Sequence, residues 1–232
     1  MGGKTIKTLL FLHGWGCDKN VWHAQAEHFS AKYDVVALNL AGFGGEPLEK
    51  PVMTVFDYAA SVARVINEMG LKNVTVVGHS FGGRIAVVLD AFYPSLVEKI
   101  VLVSSAGVRR FSLKRTLKTY IYKSKKLLVK CGLLPAYALL SSGSADYLSL
   151  DPKMKPTFLN AVNTDLRRYA RLVRRPVLLV WGDADRETPL SDGKLLARLT
   201  GGGLAVMEGC GHYCFLQNGA LFNRILEAFL QD

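Results

Sequence analysis

The sequence contains few cysteines, and their spacing is irregular. In 232 residues there are four, at positions 17, 131, 210 and 214. A secreted domain that depends on disulfides would have more of them at regular intervals, so we predict free thiols in a reducing, cytoplasmic compartment. The segment from Cys210 to Cys214 also contains His212. Its spacing is not a usual zinc pattern, and we predict no metal site there.

Long hydrophobic runs are also missing. No apolar stretch approaches the roughly 20 residues that a membrane-spanning helix needs. The first strong apolar run, residues 9–12, has only four residues and is too short for the apolar part of a signal peptide, so we expect none. Half of the residues are nevertheless hydrophobic, which is enough to fill the core of one domain of this length.

Acidic residues are scarce in one part of the chain. The protein carries a net charge of +10, but residues 105–175 hold 16 Lys and Arg against 3 Asp and Glu. The rest of the chain has a small negative balance. This basic segment has three interpretations: a solvated face, a surface that docks an acidic partner or an anionic lipid, or a nucleic-acid surface. We consider nucleic acid the least favoured and expect none to bind.

Outside that segment, short apolar runs alternate with amphipathic stretches. The runs are continuous rather than alternating, which is typical of strands in a parallel sheet that is covered by helices on both faces. Helices are predicted near residues 54–69, 82–93 and 220–230, with Thr54 as the N-cap of the first and Gly70 just beyond its end. The predicted strands are residues 7–12, 34–40, 73–77, 99–103, 176–181 and 204–207.

Residues 105–175 interrupt this alternation. Apolar residues recur at helical spacing between Leu117 and Cys131, and lysines occupy much of the rest. We therefore predict an α/β core formed by residues 1–104 and 176–232, with residues 105–175 inserted as a basic helical cap.

Ser80 lies in the sequence Gly78-His79-Ser80-Phe81-Gly82, between a predicted strand and a predicted helix. This is the context of a nucleophile elbow, a sharp turn that exposes a serine hydroxyl at the carboxyl end of a sheet. Side chains two residues before or after the serine would clash in such a turn, which explains Gly78 and Gly82. Ser80 is therefore the candidate nucleophile.

A serine needs a general base, and the base needs a carboxylate that holds its orientation. His212 follows the last predicted strand, so the parallel topology places it at the same sheet edge as Ser80. Asp185 follows the strand before it and is our choice for the carboxylate, with Asp183 as the second choice. We expect His13 and His79 to orient neighbouring loops through hydrogen bonds.

An oxyanion needs two N–H groups directed at it. The backbone N–H of Phe81, directly after the nucleophile, is one candidate, and that of Trp15 in the glycine-flanked loop after the first strand is the other. The side chains of Trp15 and Phe81 are candidate lining residues of the substrate pocket.

Five segments in one order carry a resemblance to a known family: residues 13–16, 42–44, 78–83, 181–189 and 209–212. The chain resembles α/β-hydrolase-fold enzymes. The resemblance implies a catalytic triad of Ser80, Asp185 and His212 and a variable cap over the site. The nucleotide-binding motifs in the sequence are weak, and we expect no cofactor. The family usually has two further strands before the first one here, so we expect a trimmed sheet of about six strands.

The resemblance implies a serine hydrolase that cleaves carboxylic esters through an acyl-enzyme. The Trp15 loop is similar to that of pimeloyl-acyl-carrier-protein methyl esterases, and an acidic carrier protein would suit the basic cap. Thioester, lactone or C–C bond hydrolysis on the same triad stays open, as does a non-catalytic binding module, because fold alone does not select the reaction.

Overall fold

The computed structural model describes residues 7–108 and 150–231, together with the single positions 129, 131 and 135. Within them, six parallel strands form one sheet in the order β2-β1-β3-β4-β5-β6. This confirms the predicted α/β-hydrolase fold with a trimmed, six-stranded sheet. The strands are Thr8–Leu12 (β1), Asp34–Leu38 (β2), Val74–His79 (β3), Lys99–Val103 (β4), Val177–Gly182 (β5) and Gly203–Met207 (β6).

Helices cover both faces of this sheet. A 3₁₀ turn, Lys19–Trp22, precedes the first of them, and a second one, Pro94–Leu96, precedes β4. The α-helices are His23–Ser30 (α1), Val55–Glu68 (α2), Phe81–Phe92 (α3), Lys155–Asn163 (α4), Arg167–Ala170 (α5), Leu190–Thr200 (α6), Cys214–Gln217 (α7) and Gly219–Gln231 (α8).

Two hydrophobic cores lie on opposite faces of the sheet. Side chains alternate along a strand, so Leu10 and Leu12 of β1 join the core under α2 and α3. Leu9 and Phe11 join the core that α1 and α8 cover. Because both faces are buried, the strands read as continuous apolar runs, and this is why the sequence indicated a parallel sheet.

Helix α2 shows how local sequence fixes an element's ends. The Thr54 hydroxyl accepts from the Asp57 N–H, and the Asp57 carboxylate accepts from the Thr54 N–H at 2.8 Å, which forms a capping box. Gly70 follows the helix with φ +62°, a conformation that glycine adopts without penalty. Both predicted ends of this helix are confirmed.

The strand order places a crevice beside β1. Strand β1 pairs with β2 on one side and with β3 on the other. The strands that follow β1 in sequence are therefore added first on one side of it and then on the other, while all strands stay parallel. Ligands of open α/β sheets bind at the carboxyl ends of strands at such a switch point. Leu12 is in register with Gly78, so the segments that follow β1 and β3 leave the sheet side by side.

The predicted helix over residues 117–131 and most of the predicted cap lie outside the described residues. The described part of the segment contains α4 and α5, where Leu166 N–H donates to the carbonyl of Gly107 at 2.9 Å. The domain boundaries at 105 and 175 therefore stay a prediction. No helix within residues 7–108 and 150–231 has the length and apolar character needed to cross a bilayer.

Candidate active site

Ser80 sits in a strained turn between β3 and α3. Its φ of +49° and ψ of −104° belong to a region that non-glycine residues rarely adopt, at a cost of about 1–3 kcal/mol. Three backbone hydrogen bonds hold the turn: Ser80 N–H donates to Val103 O at 3.0 Å, and Ser80 O accepts from Ala106 and Arg84. The side chain is partly exposed at the carboxyl end of β3.

The glycines on either side of Ser80 allow its close packing. A Cβ on Gly78 would lie 2.5 Å from the carbonyl oxygen of Gly82, and a Cβ on Gly82 would lie 2.3 Å from the carbonyl oxygen of Leu12. Both distances are far below contact, and both involve backbone atoms that cannot rotate away. The turn thus requires the absence of side chains at these two positions.

Asp185 lies in the loop after β5, with both carboxylate oxygens hydrogen-bonded. The N–H groups of Glu187 and Thr188 donate to Oδ1, each at 2.9 Å. The Thr188 hydroxyl, at 2.8 Å, and His212 Nδ1, at 2.9 Å, contact Oδ2. Burial raises the pKa of Asp185, but the hydrogen bonds from His212 and Thr188 outweigh it and bring the pKa down to about 2. Asp185 is therefore an anion that faces His212.

His212 is buried in the loop after β6 and has a defined orientation. Because the Asp185 carboxylate only accepts, Nδ1 of His212 carries the proton. That leaves Nε2 as the nitrogen that can accept a proton when the ring is neutral. The structure brings Asp185 against His212, whereas Asp183 is exposed.

The loops that carry Ser80 and His212 meet, but the two side chains are not hydrogen-bonded to each other. In the described part of the chain, no hydrogen bond joins the Ser80 hydroxyl to His212, and Nε2 instead lies 3.4 Å from Glu187 Oε2. His79, the residue before Ser80, links the two loops, since its Nε2 donates to the His212 carbonyl at 3.0 Å. Catalytic hydrogen bonds are often long before substrate binds, so this geometry is compatible with a base that moves onto the hydroxyl.

The two candidate oxyanion donors are free. Trp15 is in a turn that a hydrogen bond from Cys17 N–H to Gly14 O closes, with Gly16 at φ +74°. Phe81 begins α3, where the first N–H groups have no partner within the helix. Over the described residues, neither the Trp15 nor the Phe81 backbone N–H donates a hydrogen bond.

An aromatic cluster packs around the Trp15 side chain. Its ring makes edge contacts with the rings of Phe43, Phe81 and Phe158 at centroid distances of 4.9, 5.2 and 5.1 Å. Phe158 comes from α4, so part of the segment predicted as a cap packs onto the Trp15 loop. Trp15 and Phe81, the predicted lining residues, lie side by side in this cluster.

Two buried histidines hold the loops around Ser80. His13 Nε2 accepts from the Leu40 N–H at 3.0 Å, and its Nδ1 donates to Gly14 O at 2.8 Å, so this ring is neutral. Burial lowers the pKa of His13. Burial, and then the adjacent His212, lower the pKa of His79 to about 3. The expected hydrogen bonds of both histidines are present.

His79 makes the stability of the fold depend on pH. Between about pH 6.5 and pH 3 the unfolded chain binds a proton at this residue that the folded chain excludes. The free energy of unfolding therefore falls as the pH falls through this window, by up to about 1.4 kcal/mol per pH unit. His79→Gln keeps an N–H donor but does not titrate, so urea unfolding between pH 4 and pH 7 should give it a shallower pH dependence than the wild type.

A matched variant isolates this effect. His23→Gln removes an exposed imidazole from the start of α1 and controls for the loss of a histidine as such. Parallel pH dependences for the wild type and His79→Gln would contradict a neutral, buried His79.

Sequence reasoning did not identify two contacts of this site. The Thr188 hydroxyl lies within hydrogen-bond distance of Asp185, of the Ser104 carbonyl (3.0 Å) and of His212 Nδ1 (3.2 Å). Glu187 faces His212 Nε2. They lie two and three residues after Asp185 in the same loop, where the sequence offered Glu187 only as a further carboxylate candidate beside Asp183 and Asp185.

Throughout residues 7–108 and 150–231, no three His, Cys, Asp or Glu side chains converge in a way that could bind a cation. The cysteines at 17, 131, 210 and 214 are free thiols, and burial raises the pKa of Cys214 to about 11.

Comparison with known proteins supports a hydrolase. The chain is 26% identical over 256 residues to a pimeloyl-[acyl-carrier protein] methyl ester esterase of Neisseria meningitidis, covering 97% of this chain and 94% of that one. It is 24% identical over 263 residues to 2-hydroxy-6-oxononadienedioate/2-hydroxy-6-oxononatrienedioate hydrolase 2 of Pseudomonas putida, covering 99% and 89%.

The fold has close structural neighbours, and the family is established by a direct match. An esterase from Exiguobacterium antarcticum superposes with a TM-score of 0.77 at 20% identity, covering 97% of this chain and 92% of the other. Residues 7–129, more than half of the sequence, match the family model for the alpha/beta hydrolase fold. The chain therefore belongs to the alpha/beta hydrolase family, which includes esterases and C–C bond hydrolases among its relatives.

Proposed function

We propose that the protein is a serine hydrolase that cleaves carboxylic esters with Ser80, His212 and Asp185. The observations that carry this proposal are the strained backbone of the partly exposed Ser80 and the buried His212 whose Nδ1 is bound to an ionised Asp185. A backbone strain of this kind persists only where surrounding structure enforces it, and such strain concentrates at active sites.

In the proposed mechanism, the Ser80 oxygen attacks the acyl carbon while His212 Nε2 takes the hydroxyl proton. Asp185 holds the imidazole in the required tautomer and stabilises the imidazolium that forms. The tetrahedral oxyanion accepts from the free N–H groups of Trp15 and Phe81, each worth about 2.7–4 kcal/mol. His212 then protonates the leaving alcohol, which breaks the ester C–O bond and leaves Ser80 acylated.

Water completes the cycle. His212 Nε2 removes a proton from a water molecule that attacks the acyl carbon, and the returning proton releases Ser80 from the acid product. No redox change occurs and no co-reactant other than water is needed. The residues described here therefore suffice without a cofactor.

A specific observation favours a second candidate within this class, a methyl ester esterase that acts on an acyl-carrier-protein substrate. The relative from Neisseria meningitidis has this activity in its name, and the basic segment 105–175 offers positive charge to an acidic partner. The name of the relative from Pseudomonas putida likewise favours hydrolysis of a C–C bond as an alternative reaction. These substrates differ in size and charge, so direct assays separate them.

The proposed function is tested with a fluorophosphonate probe and a series of aryl esters. The probe should phosphonylate one serine, and mass spectrometry should locate the adduct in the peptide that contains Ser80. Aryl esters of increasing acyl length should be hydrolysed, with kcat/KM showing which length the site accommodates. A protein that is neither labelled nor active on any member of the series would contradict the proposal.

A further inference from the structure

Glu187 is an acidic side chain at the edge of the candidate site. Its Oε2 lies 3.4 Å from Nε2 of His212, and its side chain is 67% exposed. Its backbone is fixed, because its N–H donates to Asp185 Oδ1 at 2.9 Å. The loop that orients the ring therefore also places the Glu187 carboxylate beside one particular ring nitrogen.

The position of His212 Nε2 shows on which side of the candidate site the leaving alcohol would lie. In the proposed mechanism, on which this inference rests, His212 Nε2 delivers the proton to the leaving oxygen, which must come within about 3 Å of it. The acyl carbonyl lies on the other side, at the N–H groups of Trp15 and Phe81. Glu187 therefore faces the leaving alcohol and not the acyl chain.

We propose that Glu187 makes the site select esters whose leaving alcohol carries a positive charge, such as an amino alcohol or a quaternary ammonium alcohol. A cationic group two carbons from the ester oxygen lies within several ångströms of the carboxylate, where opposite charges attract. An alcohol that carries a carboxylate or phosphate is repelled. Selectivity of this kind depends on repulsion as well as attraction.

Among the described residues of its own loop, the neighbouring charges do not cancel the field of Glu187. Asp185 is also negative, but it is buried behind the ring at Nδ1 and its oxygens are occupied by four donors. Arg186 is exposed on the same loop, and within the described ranges it forms no ion pair with Glu187. Because Glu187 is largely exposed, solvent screens it, and the expected effect is roughly two- to fivefold.

The test compares three esters with one acyl group and different leaving alcohols. Choline is cationic, 3,3-dimethylbutanol is its neutral analogue of the same shape, and 3-hydroxypropionate is anionic. Acid release is followed at constant pH, and the result is the ratio of kcat/KM for the cationic ester to that for the neutral ester. In Glu187→Gln this ratio should fall roughly two- to fivefold, and the anionic ester should gain relative to the neutral one.

Two comparisons make the result specific. Glu208→Gln removes the same charge from an exposed position just beyond β6, and its ratio should match that of the wild type. Raising the salt concentration from about 0.02 M to 0.5 M should shrink the difference between wild type and Glu187→Gln, since screening weakens exposed charges.

Failure of the inference and failure of the proposed function give different results. Ser80-dependent hydrolysis with the same ratio in wild type and Glu187→Gln would overturn the selectivity of Glu187 alone. Absence of ester hydrolysis, or hydrolysis that is unchanged in Ser80→Ala, would overturn the proposed function and this inference with it.

Discussion

Ser80→Ala should lower kcat for aryl ester hydrolysis by roughly 10⁴- to 10⁶-fold, because it removes the oxygen that forms the acyl-enzyme. A residual rate above that of water should persist, since the Trp15 and Phe81 N–H groups would still hold an oxyanion. The fold should be unaffected, because the turn is held by the backbone groups of Ser80 and not by its hydroxyl. Steady-state kinetics and a urea unfolding curve measure the two effects separately.

The same experiment extends to the base. If Ser80 and His212 act as one unit, Ser80→Ala/His212→Ala should be about as slow as either single variant rather than showing a product of the two losses. Asp185→Asn should lower kcat by about 10⁴-fold, since an amide in its place favours the wrong imidazole tautomer.

Ser30→Ala is the matched control for the loss of a hydroxyl. Ser30 ends α1 and donates only to the Glu27 carbonyl, on an exposed surface. Its kinetics should equal those of the wild type. Retention of more than a tenth of the wild-type kcat in Ser80→Ala would contradict Ser80 as the nucleophile.

The features that sequence reasoning identified are those that depend on local constraints. Strand β3 has buried residues on both faces, so it reads as a continuous apolar run. The turn at Ser80 can close only without side chains at Gly78 and Gly82, which is visible as glycine spacing. The capping box of Thr54 and Asp57 joins residues three apart in the chain. In each case the cause lies within a few residues.

The features that it missed depend on contacts between distant segments. Thr188 meets Ser104, 84 residues away, and His212, 24 residues away, and nothing in its local sequence specifies either partner. The position of Glu187 against Nε2 depends on how the loops after β5 and β6 approach each other. Asp185 and Asp183 lie in the same loop, and Asp185 is preferred because an aspartate in a loop turn often caps its own backbone, a preference that the family resemblance also implies.

At the carboxyl edge of the sheet, the same close backbone contacts stabilise the fold and position the candidate catalytic residues. The Gly182 position at the end of β5 shows this, since a Cβ there would lie 2.2 Å from the Cys210 carbonyl oxygen and 2.4 Å from that of Gly211. The His212 loop is therefore packed against the end of β5, the strand that precedes Asp185. The start of α3 is likewise packed against the end of β1. The candidate oxyanion donor Phe81 lies at the start of α3, and the other donor, Trp15, lies in the loop after β1.

Gly82→Ala should be strongly disruptive at this edge. Alanine is a better helix former than glycine by about 1 kcal/mol, and Gly82 lies in the first turn of α3. The new Cβ, however, would lie 2.3 Å from Leu12 O, 2.7 Å from Leu12 C and 2.9 Å from His13 O. Since all three are backbone atoms, the helix must move away from β1. We expect the free energy of unfolding to fall by roughly 3 kcal/mol or more.

The same displacement should lower the activity of the molecules that remain folded. It separates the Phe81 N–H from the Trp15 N–H, and the loss of one oxyanion donor costs about 10²- to 10³-fold in kcat. Gly203→Ala is the matched control, because a Cβ there meets no atom within 4 Å; its stability should change by less than about 0.5 kcal/mol. If Gly82→Ala were as stable and active as Gly203→Ala, α3 would be able to shift away from β1 without cost. Rigid packing of the Trp15 and Phe81 N–H groups could then not explain how the oxyanion is held.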